Sequence, residues 1–139
     1  MSLSIRNQIP GTVTAVTAGE VMATVKVRLD GGQDLTAAIT RESVTELGLV
    51  EGTVVRALVK STEVSLATAA VEGVSIRNQL PGTVAGITTG AAMASVKVAV
   101  TGGELTAAIT TEAVDDLGLA AGSPVVALIK STEVSLATG

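Results

Sequence analysis

The stretch VMATVKVRL, residues 21–29, decides the fold class of this chain. Every second residue from Val21 to Leu29 is apolar, and the residues between them include Lys26 and Arg28. A period of two predicts a β-strand with one face in the core and the other face in water. The stretch AMASVKVAV, residues 92–100, keeps the same alternation and predicts a second copy of this strand.

The strand is part of a repeat that covers nearly the whole chain. Residues 5–29 align with 76–100, and residues 35–68 align with 105–138 after a one-residue difference in the Gly-Gly turn between them. We predict a first unit at residues 1–68, a linker at 69–73 and a second unit at 74–139. The linker is short and rich in small residues, so the two units are expected to lie side by side.

Each unit contains further strand candidates and one short helix. The segments GTVTAV, LTAAIT and VVRALVK, in residues 11–60, are apolar runs near Gly, Pro or Asp. The segment TRESVTELGL has Thr40 as an N-cap and Gly48 as a left-handed C-cap, and the same plan recurs from Thr110. Gly31-Gly32 predicts a hairpin turn, since no phosphate-loop motif surrounds it. Five strands and one helix predict a mainly β protein of two tandem OB-like small β-barrels.

The composition excludes several classes of chemistry. The 139 residues include no Cys and no His, which excludes disulfides, thiolate or imidazole metal sites and nucleophilic cysteine, so we expect no cation-binding metal site and no enzyme. A net charge of −4 and the lack of Phe, Trp and Tyr argue against a nucleic-acid partner. No apolar run approaches the ~20 residues that span a bilayer, and the N-terminal sequence lacks a signal pattern, so no membrane association and a cytoplasmic location are expected.

The apolar content predicts an oligomer. Hydrophobic residues make up 47% of the chain and the mean hydropathy is +0.57. Units of roughly 65 to 70 residues are near the lower size limit for a self-sufficient core, so part of this surface is expected to be buried between repeats or subunits.

Two polar strings recur almost unchanged. SIRNQ occupies residues 4–8 and 75–79, and KSTEVSLAT occupies residues 60–68 and 130–138. The cations at positions 28, 41 and 56 are lost in the second copy, whereas three are retained: Arg6 as Arg77, Lys26 as Lys97, and Lys60 as Lys130. Guanidinium, ammonium, hydroxyl and backbone N–H donors suit a tetrahedral oxyanion.

Ordinary structural roles remain open for the same residues. Chance retention after a recent duplication would also explain the repeated strings. Considered one at a time, Lys60 and Lys130 are typical of lysines at the end of a strand. Asn7 and Asn78 are typical of turn residues ahead of a Pro-Gly pair. Acidic pairs such as Asp115-Asp116 lie on the predicted helices and mark a solvated face.

The strings SIRNQ, PGTV, AAIT, ELGL and KSTEV together resemble the Mop family, the molbindin or TOBE-like domains that bind molybdate, in a tandem di-Mop arrangement. The resemblance implies OB-like barrels, oligomers formed through exchanged N-terminal strands, and molybdate or tungstate sites at the interfaces. The family usually has Ala where Ile5 and Ile76 stand, so these positions are expected to act through their backbone N–H. The carried-over site residues are Ser4, Ile5, Arg6, Asn7, Lys60 and Ser61 in the first copy and Ser75, Ile76, Arg77, Asn78, Lys130 and Ser131 in the second.

The resulting expectation is a non-enzymatic, cytoplasmic protein that stores molybdate or tungstate and contributes to its homeostasis, assembled as a homo-oligomer, with a trimer favoured. An oxyanion-sensing or delivery module acting on a protein partner is the main alternative. An interaction scaffold without a small ligand would account for the apolar surface but not for the repeated polar strings.

Overall fold

A computed structural model of the chain describes residues 3–139 as ten β-strands, two α-helices and two 3-10 turns. The first repeat contains β1 (Asn7–Ala18), β2 (Met22–Leu29), β3 (Asp34–Thr40), α1 (Arg41–Leu47), β4 (Val54–Val59), the 3-10 turn Ser61–Glu63 and β5 (Ser65–Ala67). The second contains β6 (Asn78–Thr89), β7 (Met93–Val100), β8 (Gly103–Thr110), α2 (Thr111–Leu117), β9 (Pro124–Ile129), the 3-10 turn Ser131–Glu133 and β10 (Ser135–Ala137). The predicted mainly β architecture, with five strands and one short helix per repeat, is confirmed.

The two repeats exchange their last strands. The strand orders are β10-β4-β1-β2-β3 and β5-β9-β6-β7-β8, with antiparallel pairing throughout. Leu66 of β5 lies opposite Ala127 of β9, and Leu136 of β10 lies opposite Ala57 of β4. The edge strands β3 and β10 contact each other, as do β8 and β5, so each sheet curls into a partly open barrel. Each sheet therefore contains one strand from the other side of the predicted linker.

The alternation in β2 places its apolar face in the core. Residues 23, 25, 27 and 29 are buried, and the residues between them are exposed. The prediction that Val21 shares the buried face is wrong, because its side chain is 72% exposed. A tight turn, in which the Gly19 N–H donates to the Met22 carbonyl, holds Val21 outside the strand.

The Pro10-Gly11 pair does not form the turn that the sequence suggested. β1 begins at Asn7 and continues through Pro10, which lies opposite Arg56 of β4. The Pro10 carbonyl accepts from the Asp30 N–H on the β2 side, and the Cα register with β2 starts only at Gly11. Because the N and C=O of a strand residue point to the same side, the nitrogen of Pro10 also faces β2. The β1–β2 ladder begins only at Gly11, so the missing proline N–H removes no ladder bond.

The helix caps and hairpins follow the predictions. Thr40 Oγ1 accepts from the Ser43 N–H at 3.1 Å, and Gly48 takes a left-handed conformation with φ 62°. The β2–β3 hairpin turns at Gly31-Gly32, as predicted. Gly31 also lies so close to the Thr101 carbonyl of the facing hairpin that any Cβ there would overlap with it. The hairpin turns of the two repeats therefore touch.

The core is one cluster shared by both repeats. It is built from Val, Leu, Ile and Ala, and equivalent residues such as Val25 and Val96 belong to the same cluster. Several large apolar side chains remain exposed, with Val21 and Val54 above 70%. Within residues 3–139, no helix is long and apolar enough to cross a membrane.

Candidate oxyanion site

Strand pairing brings the two polar strings of the first repeat together. Ser4–Arg6 precedes β1, and Lys60–Thr62 follows β4. β1 and β4 are antiparallel with Asn7 opposite Val59, so the start of one strand lies beside the end of the other. The two segments line one surface recess, which is formed by Ser4, Ile5, Arg6, Lys60, Ser61 and Thr62. Five of the six residues predicted for the first copy of the site thus lie around one recess.

Ser61 provides the most informative atom of the recess. Its Oγ is buried and has no hydrogen-bond partner within residues 3–139. Buried hydroxyls are almost always hydrogen-bonded, so this hydroxyl is available to a partner outside the described residues. Ser131 Oγ in the second repeat is in the same state. Two equivalent orphan hydroxyls in two copies indicate a shared role.

The 3-10 turn adds backbone donors next to this hydroxyl. Its first backbone bond runs from the Glu63 N–H to the Lys60 carbonyl at 2.9 Å, so the N–H groups of Ser61 and Thr62 precede the hydrogen-bonded part of the turn. Lys60 has φ −65° and ψ 141°, and Lys130 has φ −65° and ψ 139°. The two copies therefore present the same backbone. Both lysine side chains are exposed.

The arginines fold back on their own segments. Arg6 donates to the carbonyls of Leu3 at 3.1 Å and Ser4 at 3.4 Å, and Arg77 donates to the Val74 carbonyl at 3.2 Å. A guanidinium has five N–H donors, so these bonds leave others for a ligand. Ile5 lines the recess and is half-buried, as is Ile76 in the second copy.

Asn7 and Asn78 differ from the other predicted site residues. Each is only 3% exposed, and each hydrogen-bonds the backbone of the opposite repeat. Asn7 accepts from the Thr106 N–H at 2.7 Å and donates to the Thr106 carbonyl at 2.9 Å. Asn78 makes the same pair of bonds to Thr36, both at 2.8 Å. The side-chain amides are therefore already paired. The only hint in the sequence was an amide retained at the start of a strand.

The other retained cations lie apart from the strings in the sequence, on the exposed faces of β2 and β7. Lys26 is exposed, and Lys97 Nζ donates to Thr106 Oγ1 at 3.0 Å. Across residues 3–139, no group of three or more acidic, His or Cys side chains could hold a metal ion. The donors of the recess suit an anion.

One ion pair outside the recess has a resolved effect on pKa. Arg28 on β2 faces Asp34 on β3 and pairs with it at the surface. The hydrogen bond from Arg28 is the main cause that lowers the pKa of the Asp34 carboxyl from its ordinary value of 3.8. The second repeat has Ala99 opposite Glu104 at this position, so the pair is specific to the first repeat.

Comparisons with known proteins agree with this architecture. Residues 3–66 and 74–136 each match the model of the TOBE domain. The chain is 42% identical over 139 residues to the molybdenum-pterin-binding protein MopA of Rhodobacter capsulatus, covering 99% of this chain and 52% of that protein. It is 37% identical over 139 residues to the molybdenum transport protein ModE of Herbaspirillum seropedicae, with 99% and 52% covered. The chain thus spans about half the length of the curated relatives it matches.

A solved structure aligns with the whole chain. The molybdate-bound structure of the cytoplasmic molybdate-binding protein ModG matches with a TM-score of 0.97 and 43% identity, covering 100% of both chains. The family match covers both repeats and most of their length. This chain therefore belongs to the TOBE-domain family and contains two tandem copies of the domain.

Proposed function

We propose that this protein binds molybdate, or the chemically similar tungstate, and serves in the storage and homeostasis of the anion in the cytoplasm without catalysing a reaction. The site in the first repeat consists of Ser4–Arg6 and Lys60–Ser61, and the site in the second consists of Ser75–Arg77 and Lys130–Ser131. The resemblance to ModG, which is described as a cytoplasmic molybdate-binding protein, supports both the ligand and the location.

The observation that carries the proposal is the orphan hydroxyl of Ser61 in a recess that also contains Arg6 and Lys60. A tetrahedral dianion needs positive charge and several converging donors, and this recess offers both. An ammonium, a guanidinium and a hydroxyl would each face one side of the ligand. Among residues 3–139, no carboxylate lines the recess.

We further propose that the protein is a homo-oligomer, with a trimer favoured. Exposed apolar side chains on the single chain support this proposal, including Val21 at 72%, Val54 at 71% and Val50 at 63%. Contact between subunits would bury them and could close the shallow recess over an anion. Native mass spectrometry with and without molybdate measures the subunit number and the number of bound anions in one experiment. A folded monomer at micromolar concentration would contradict the oligomer.

The ligand assignment is tested by calorimetric titration of the parent and of paired lysine variants with molybdate and sulfate. Changing Lys60 and Lys130 together to Ala removes a charge from each site. In the recess closed by a neighbouring subunit, as proposed above, a charge-assisted contact shielded from water contributes about 2–5 kcal/mol, so molybdate binding should weaken more than tenfold. Changing Lys26 and Lys97 to Ala is the matched control on exposed strand faces, where a lysine contributes under about 1 kcal/mol. Equal binding by both double variants and the parent would contradict the site.

A second candidate function is molybdate delivery or sensing through a protein partner. The match to half of ModE, described as a molybdenum transport protein, favours it, because a related pair of domains occurs there within a longer protein. The two functions differ in how the anion leaves. Storage predicts slow release from the purified protein alone, whereas delivery predicts release that is accelerated by an apo-acceptor protein in a stopped-flow exchange assay.

A further inference from the structure

Asn7 and Asn78 occupy buried positions at the contact between the two repeats. Among residues 3–139 they are the only polar or charged residues that are buried as whole residues, at 3% exposure each. Their four hydrogen bonds cross between the repeats and obey the internal symmetry, with Asn7 on Thr106 and Asn78 on Thr36. In each amide the oxygen accepts one bond and one of the two N–H groups donates one, so the side chain is held against the opposite repeat.

The groups they bind belong to edge strands. β3 and β8 each stand at one end of their sheet, and an edge strand exposes backbone N–H and C=O groups that need partners. Asn7 satisfies both backbone groups of Thr106, and Asn78 satisfies both of Thr36. Each asparagine therefore makes the two backbone hydrogen bonds that one residue of a neighbouring strand would make.

The edge strands β8 and β3 also contact the lysine-bearing turns of the two sites. The 3-10 turn Ser61–Glu63 of the first repeat packs against β8, and the turn Ser131–Glu133 packs against β3. Asn7 directly follows the segment Ser4–Arg6. In the first site, β8 of the other repeat therefore contacts the lysine-bearing turn and the asparagine that follows the arginine-bearing segment, and β3 does the same in the second site.

We propose that Asn7 and Asn78 are positioning residues for the oxyanion sites, each holding the arginine-bearing segment of one repeat on the edge strand of the other so that it faces the lysine-bearing turn. The inference rests on the proposed function. It reassigns the two asparagines from the set of direct ligands. It also makes each site dependent on the docking of both repeats, although all of its ligand groups come from one repeat.

The test uses variants that change no charge. Asn7→Leu has nearly the shape of asparagine and removes both hydrogen bonds to Thr106. Gln79→Met is the matched control, because Gln79 also makes two hydrogen bonds to one backbone residue, but at the surface and to Val71 of the linker, not to the opposite repeat. Bound molybdate per chain and its affinity are measured by calorimetry and native mass spectrometry on the full-length oligomer, well below the melting temperature.

We expect Asn7→Leu to weaken half of the molybdate sites at least tenfold, because apparent affinity falls in proportion to the docked fraction of the segment. The other half, held by Asn78, should keep the parental affinity, and Gln79→Met should bind like the parent. A merely structural role would lower the melting temperature of Asn7→Leu and leave both sets of sites intact. That result, or an equal loss in Gln79→Met, would overturn the proposal.

Hydrogen exchange on the unmodified protein tests the positioning role independently, because it does not require a variant to fold. If the anion binds only the docked segment, molybdate should slow exchange of the Thr106 and Thr36 amides, because a ligand stabilises the state it binds. The Val71 amide, held by Gln79, is the internal reference and should not change. Unchanged exchange at Thr106 and Thr36 in a protein that binds molybdate would refute the positioning role, whereas a parent that binds no molybdate would refute the proposed function itself.

Discussion

Removing the orphan hydroxyls should raise stability and lower affinity at the same time. A buried polar group without a partner costs about 1–3 kcal/mol, so Ser61→Ala together with Ser131→Ala should leave the free energy of unfolding of the anion-free protein unchanged or raise it by up to that amount per site. A hydrogen bond to a charged ligand contributes about 1.5–3 kcal/mol, so the same change should weaken molybdate binding about 10- to 150-fold. The two effects have opposite signs because, in the proposed site, the hydroxyl is paired only when the anion is bound.

The assay measures chemical unfolding without molybdate and calorimetric titration with it, both at one protein concentration, since the stability of an oligomer depends on concentration. Ser65→Ala with Ser135→Ala is the control, because these serines lie four residues further along each string and are exposed. The control should change neither quantity by more than a few tenths of a kcal/mol. A double Ser61 and Ser131 variant that is less stable and binds molybdate like the parent would show that the hydroxyls serve the fold.

Three further predictions follow from the fold. Because Arg28 lowers the pKa of Asp34, any stability from this pair is present above the ordinary value of 3.8 and is lost as pH falls through the lowered pKa. In the Arg28→Ala variant, an NMR titration should show the pKa of Asp34 moving upward. An unchanged pKa would refute Arg28 as the cause. Gly31→Ala forces the facing hairpins apart and should cost about 1–3 kcal/mol in chemical unfolding, whereas Gly103→Ala, with open space around it, should not. A fragment of residues 74–139 lacks the partner of its last strand and should sediment as a strand-exchanged dimer; a compact folded monomer would refute this reasoning.

The sequence by itself determined the local elements of this protein. Alternation in residues 23–29 specified a strand with one buried face, because side chains on a strand point to opposite sides in turn. Thr40 and Gly48 specified where α1 begins and ends, because caps depend only on neighbouring backbone groups. Duplication of the polar strings marked Lys60 and its neighbours as a candidate site. The strand and the helix caps depend only on residues close in the sequence, and the candidate site depends on comparing the two repeats.

Only the tertiary structure decided how the two repeats share their parts. The exchange of β5 and β10 could not be predicted, because the two strands have the same sequence and nothing in that sequence says which of the two similar sheets each one joins. The role of Asn7 was missed for a related reason, since its partner Thr106 is distant in the sequence. Long-range pairing between near-identical units is set by the geometry of the linker and the core, and two copies of one sequence cannot specify which copy each strand joins.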